Sequence, residues 1–248
     1  VEVVADDGTT LVLDAGSGIV HCRAAGQTSG RIDVLLTHLH MDHIQGLGFF
    51  APLRLAEVDV HLWGPVSTTN SLSARLSRYL SPPLFPVRLR ELPSLTVHDL
   101  APGTVEIGPF TVTADFVIHP GPTHGFRLSA DGSTLAYLPD HEPALGNGRV
   151  PADPAWISGF DLAQGVDLLL HDAQYTEAEY RERVGWGHST LAHTLDLAEA
   201  ASVGRLVTFH HAPDHSDALI DRMHDEAREE RARGIPFEPG HTGAAYAL

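Results

Sequence analysis

From Leu36 to His43 the chain reads Leu-Thr-His-Leu-His-Met-Asp-His, so His38, His40, Asp42 and His43 fall within six residues. Imidazole nitrogen and carboxylate oxygen suit zinc and its borderline neighbours. Four such groups on one turn exceed what a single tetrahedral ion usually takes from adjacent residues, so the spacing points to two metals. The preceding Ile32-Asp33-Val34-Leu35-Leu36 is apolar and β-branched, the pattern of a buried strand that delivers ligands at its end. A surface loop that chelates by accident would need neither that strand nor the Gly46 and Gly48 that follow.

Other polar residues sit at the ends of expected strands, where a rigid scaffold can aim them into one cleft: Asp14, His119, Asp140, His171 and His210. The N-terminal third reads as β-rich, with a hairpin of Val1 to Ala5 and Thr10 to Leu13, then a strand from Val58 to Trp63 and a helix from Thr69 to Leu80. Two strands are expected around Gly108-Pro109, and a hairpin over Gly125 to Leu138 turns at Asp131-Gly132. Then come strand Val166 to Leu170, helices Thr176 to Val184 and Ser189 to Ala201, strand Arg205 to Phe209, helix Asp217 to Arg233 and a short last strand near Gly243 to Ala247. Hairpins followed by βα units suit an α/β (α+β) fold of two sheets packed face to face with helices outside. No composition shift marks a boundary, so residues 1–248 read as one domain or two intimately packed halves.

The single cysteine, Cys22, excludes an intrachain disulfide and a multi-cysteine zinc knuckle, which leaves the metal chemistry to His and Asp. All 16 basic residues are arginine, which rules out a Schiff-base lysine. A formal charge of −16 repels long polyanions and argues against extended nucleic acid as a partner. The Arg75, Arg78, Arg88 and Arg90 group is at most a local anion contact. With no long apolar run and no leader pattern, a cytoplasmic protein that does not span a membrane is expected. A homodimer is compatible with this composition.

Four further segments, His119-Pro-Gly-Pro-Thr-His-Gly-Phe-Arg127, Tyr137-Leu-Pro-Asp140, Leu170-His-Asp-Ala173 and Gly187-His-Ser-Thr190, together with the histidine cluster, resemble the metallo-β-lactamase superfamily. The resemblance covers essentially the whole chain and is strongest to the tRNase Z and phosphoribosyl cyclic phosphodiesterase group. It implies a four-layer αββα sandwich holding two divalent ions, zinc first, with manganese or iron as alternatives. It places one metal on His38, His40 and His119, the second on Asp42, His43 and His210, and Asp140 between them. His211 is the alternative to His210. Asp14 would hold a ligand imidazole in its tautomer, and His188 would face the substrate phosphate, oriented by Asp172 or His171. Ser189 is read as the N-cap of the next helix. His124, His141 and His215 are candidate pocket residues or ordinary loop residues.

The implied reaction is hydrolysis of a small anionic phosphodiester, linear or cyclic, by a metal-bridging hydroxide, with Asp42 in the catalytic centre and His188 as general acid. Enzymes that process tRNA in this group usually carry a long arm between the third histidine ligand and the bridging aspartate; here only a hairpin separates His119 from Asp140. The competing readings are a thioesterase or lactonase of glyoxalase II type, a tRNA 3′-processing endonuclease, and a metal-binding regulatory module. Resembling proteins begin with an additional strand and a glycine-rich segment before the position of Val1, so a longer natural chain is expected.

Overall fold

Strands form where the apolar runs fall. The computed structural model describes residues 1–143, 145, 149–230 and 234–248. Its strands are β1 (Glu2–Val4), β2 (Thr10–Leu13), β3 (Gly30–Leu35), β4 (Val58–Pro65), β5 (Leu95–Leu100), β6 (Gly103–Ile107), β7 (Phe110–Phe116), β8 (His124–Ala130), β9 (Ser133–Leu138), β10 (Leu168–Asp172), β11 (Arg205–Phe209) and β12 (Phe237–Pro239). The helices are α1 (Met41–Ile44), α2 (Leu72–Leu76), α3 (Phe160–Ala163), α4 (Glu177–Tyr180), α5 (Leu191–Ala200) and α6 (Asp217–Glu230), with short 3₁₀ turns between them. By contact density the chain forms two compact units, residues 1–110 and 111–248.

In the first unit, β1 to β5 make a sheet in sequence order; only the β1–β2 pair is antiparallel. One face of this sheet, through Val12, Ile32, Val34, Val60 and Leu62, packs with Leu47, Phe50, Leu53, Leu72 and Leu76 into a buried core. The seven-stranded sheet has the order β12-β11-β10-β9-β8-β7-β6. Within it β9, β10, β11 and β12 run parallel, while β8 is antiparallel to β7 and β9. Ala136, Leu138, Leu169 and Leu206 meet Leu191, Leu195 and Ala198 of α5 in the core of the second unit. Parallel strands end on the same side, so residues just beyond β2 and β3 share one sheet edge, and those beyond β9, β10 and β11 share another.

The expected hairpins form. Asp131 (φ +53°) and Gly132 (φ +84°) make the two-residue turn between β8 and β9, with both central residues left-handed as such turns require. Several helices are shorter than their sequence patterns. The expected helix from Thr69 to Leu80 contracts to α2, which Ser71 caps by accepting from Ala74 N at 3.2 Å. Ser77 Oγ donates to Ser73 O at 2.7 Å, and such local side-chain bonds compete with helix propagation. Helix α4 stops at Tyr180 although its Thr176–Glu179 capping box is complete. Thr190, not Ser189, caps α5 by accepting from His193 N, because Ser189 Oγ donates to His141 O at 2.5 Å. The end of the helix expected to reach Arg233 lies outside the described residues.

The last strand is displaced from its expected place. It forms at Phe237–Pro239, parallel to β11, while residues 243–247 carry no strand. Gly243-Ala-Ala-Tyr-Ala offers little side chain to bury, whereas Phe237 packs against the second core. Strand β5 has only its last residue buried, so its sequence lacks a strong apolar signature.

Candidate metal centre

Each unit presents its own set of donors at the ends of parallel strands. In the first, the chain leaves β3 through Thr37 and enters α1 at Met41, which concentrates His38, His40, Asp42 and His43 in one turn. His38 and His43 are buried, while His40 and Asp42 are exposed. The rings of His38 and His40 lie edge to face with centroids 4.4 Å apart, and those of His38 and His43 are 4.2 Å apart.

Asp14 organises this cluster from the end of β2. It adopts φ +59°, and its carboxylate accepts from Thr37 N at 2.7 Å and from Thr37 Oγ1 at 2.9 and 3.0 Å. Its Oδ2 also lies 2.8 Å from His43 Nδ1. That bond fixes the proton of His43 on Nδ1 and directs Nε2 to the other side, where Asp42 Oδ2 stands 3.2 Å away. The loop after β2 reaches α1 through direct backbone bonds, Ala15 N to His43 O and Gly46 N to Ala15 O, both 2.8 Å. Any Cβ at Gly46 would collide with the Gly16 carbonyl and Ile19, which explains the glycine that follows the donor motif.

In the second unit the donors come from the ends of β7, β9 and β11. His119 donates from Nδ1 to Gly187 O at 2.8 Å, so its Nε2 faces Asp140 Oδ2 at 3.8 Å. His210, at φ +53°, turns its Nε2 toward the same Oδ2 at 3.5 Å. A non-glycine residue held in the left-handed region at a strand end costs of order 1–3 kcal/mol and is characteristic of functional positions. His211 turns away. Its Nε2 lies 3.3 Å from Thr208 Oγ1 and its ring meets that of His224, and burial lowers its pKa to about 4.

His188 is held by Asp172, with Nδ1 2.6 Å from Oδ2. Asp172 is fully buried, and its carboxylate also accepts from the backbone amides of Gln174, Ser189 and His141. The choice between Asp172 and His171 as the orienting group is thereby made. His171 is turned into the core, where it meets His141 Nδ1 at 2.9 Å and Thr194 Oγ1 at 3.2 Å. The His188 ring stacks on His210 at 5.1 Å with a 10° interplanar angle and meets His119 edge-on at 4.9 Å.

Three histidines considered for the pocket serve the interior instead. His141 and His124 are fully buried, and burial holds both below the ordinary histidine value, His124 at about 4. His215 Nε2 pairs with Glu179 at 3.0 Å. The sequence reading missed Glu142, a fully buried glutamate two residues after Asp140. Its carboxylate accepts from Tyr180 Oη and from the amides of Gly185 and Gly187, which fixes the loop that supplies the Gly187 carbonyl to His119. A loop glutamate gives no such signal in one sequence, because most are solvated.

The donor chemistry fits divalent cations. Two ligands about 2.1 Å from a common tetrahedral ion lie roughly 3.4 Å apart. The Nε2-to-carboxylate separations within the units, 3.2, 3.5 and 3.8 Å, fall around that value. In His43 and His119 the partner on Nδ1 reserves Nε2 for coordination.

Comparison with known proteins agrees. A β-lactamase superfamily domain model matches residues 9–211. Ribonuclease Z from Gloeothece citriformis (strain PCC 7424) is 28% identical over 83% of this chain and 76% of its own length. The metallo-β-lactamase fold protein YhfI from Bacillus subtilis superposes with a TM-score of 0.69 at 17% identity, covering 96% of this chain and 88% of that one. Zinc-bound PqqB from Methylobacterium extorquens gives 0.66 at 25% identity, covering 100% and 85%. With this fold and these strand-end donors, the chain belongs to the metallo-β-lactamase superfamily and is similar within it to ribonucleases Z and BN.

Proposed function

We propose that the protein is a two-metal phosphodiesterase acting on small or cyclic phosphodiesters. On the family's ligand pattern, one ion would be held by His38, His40 and His119 and the other by Asp42, His43 and His210, with Asp140 as a ligand of both. Zinc is the first candidate, since a zinc-bound structure is among the similar folds. When bound, the ions supply Lewis-acid neutralisation of phosphoryl oxygens and make water acidic near neutral pH.

The observation that carries the reading is His188. Its Nδ1 is tied to the buried Asp172, and its ring lies against those of His119 and His210, with centroids 4.9 and 5.1 Å away. As an imidazolium, His188 donates the Nε2 proton to the departing alkoxide, and Asp172 stabilises the charged ring and keeps its orientation. A leaving alkoxide needs that proton far more than a thiolate does, which favours phosphodiesters over thioesters. The named relatives are ribonucleases Z and BN, which supports cleavage of a phosphodiester bond and keeps an RNA 3′ end as the second reading. Against a large RNA stand the charge of −16 and the interval from His119 to Asp140, which β8, β9 and their two-residue turn occupy.

The test is a parallel assay of metal-loaded protein on bis-aryl phosphate, cyclic nucleotides, cyclic ribose phosphate, a thioester, a lactone and a tRNA precursor, alongside metal analysis. Hydrolysis of the small phosphodiesters is expected; activity confined to thioester and lactone would overturn the reading. His188→Ala should lower kcat by about 10²–10⁴-fold with metal content near that of the wild type. Loss of both metals in that variant would make His188 a structural residue.

A further inference from the structure

Trp186 stands 58% exposed between two glycines whose amides are fixed from inside the protein. Gly185 N donates to the Glu142 carboxylate at 3.0 and 3.1 Å, and Gly187 N donates to it at 2.8 Å. Tyr180 Oη donates to the same group at 2.8 Å, and Glu142 is fully buried. A buried carboxylate is tolerated only when hydrogen-bonded, and here the loop backbone supplies most of its donors. The result is a defined loop that holds a large indole out in water, where a mobile loop could have folded it down.

A chain of ring and guanidinium contacts runs from that indole to His210 in the second unit. His210 stacks on His188, and Tyr175 meets His188 edge-on at 5.7 Å. The Arg183 guanidinium lies over the Tyr175 ring at 5.2 Å and at 6.0 Å from the Trp186 ring, within cation–π reach of both. Arg183 is thus held over the indole and carries positive charge on a strongly acidic chain. An exposed indole with a planar cation over its ring matches a flat heteroaromatic ring attached to a phosphate.

We propose that Trp186 and Arg183 form the platform that stacks the base of a nucleoside phosphodiester whose phosphate lies at His188. This rests on the phosphodiesterase reading for the position of the phosphate, and it makes base-bearing substrates preferred over sugar phosphates without a ring.

Two measurements test it. The first compares kcat/KM for adenosine 2′,3′-cyclic phosphate and ribose 2′,3′-cyclic phosphate, which differ only in the adenine, by phosphorus NMR. The wild type should prefer the adenosine substrate, and the preference should fall about tenfold in Trp186→Ala and recover in part in Trp186→Phe. Trp156→Ala, which removes another exposed tryptophan, should keep the wild-type preference. The second measures binding of adenosine 5′-monophosphate by calorimetry on the protein as purified. Its Kd should rise about tenfold in Trp186→Ala. If neither cyclic phosphate is hydrolysed, the parallel assay on the other phosphodiesters decides the phosphodiesterase reading and calorimetry alone decides the platform. An unchanged Kd in Trp186→Ala, or a wild type indifferent to adenine, overturns the platform.

Discussion

Asp14 shows how much one carboxylate can organise. Left-handed at the end of β2, it holds Thr37 by backbone and hydroxyl and fixes the tautomer of His43. Asparagine tolerates the same backbone conformation and nearly the same shape, so Asp14→Asn isolates the charge and the tautomer. The variant should fold normally and bind metal about 10–100-fold more weakly, read by titration against a competing chelator. Unchanged affinity would mean that Asp14 only shapes the loop. His210 and Asp172 repeat this logic in the second unit, one through a left-handed backbone and the other through a carboxylate held by three backbone amides.

At the scale of elements, α1 carries the donors without having the length to fix itself. Four residues cannot sustain a helix alone, so α1 depends on the backbone of the loop after β2. Gly46→Ala pushes a methyl into the Gly16 carbonyl and Ile19. It should cost about 1–3 kcal/mol in urea unfolding and weaken metal binding, because the loop and α1 must separate. Gly18→Ala, where a Cβ meets nothing within 4 Å, is the matched control and should be nearly neutral. A Gly46 variant as stable as that control would show that the two backbones are not coupled. In the sequence, Gly46 was legible only as a glycine behind a motif; the close approach that requires it comes from a loop far away in the chain.

For the molecule as a whole, the excess of acidic residues sets the long-range field. A chain of formal charge −16 slows the approach of an anion, and salt relieves that repulsion as the Debye length falls from about 30 Å at 0.01 M to about 8 Å at 0.15 M. Accordingly, kcat/KM for a small phosphodiester should rise over that range under stopped-flow or steady-state assay. A steep fall would mean that local positive charge governs the encounter and would favour a polyanionic substrate. Among the described residues no helix is long and apolar enough to cross a membrane.

The sequence by itself determined the donor types, the strands that carry them and the turn between β8 and β9, because those depend on local pattern: apolar runs, a two-residue turn and clustered imidazoles. Tertiary structure decided which member of each ambiguous pair faces the donors. His171 and Asp172 lie on successive positions of a strand buried on both faces, so alternation in the sequence could not tell them apart; the pleat sends one toward Thr194 and the other to His188. His210 rather than His211 meets Asp140 because the chain turns left-handed at its position. Ser189 lost the helix cap to Thr190 once the His141 carbonyl claimed its hydroxyl. Glu142, silent in the sequence, acquired its role only when the fold buried it beneath the amides of Gly185 and Gly187.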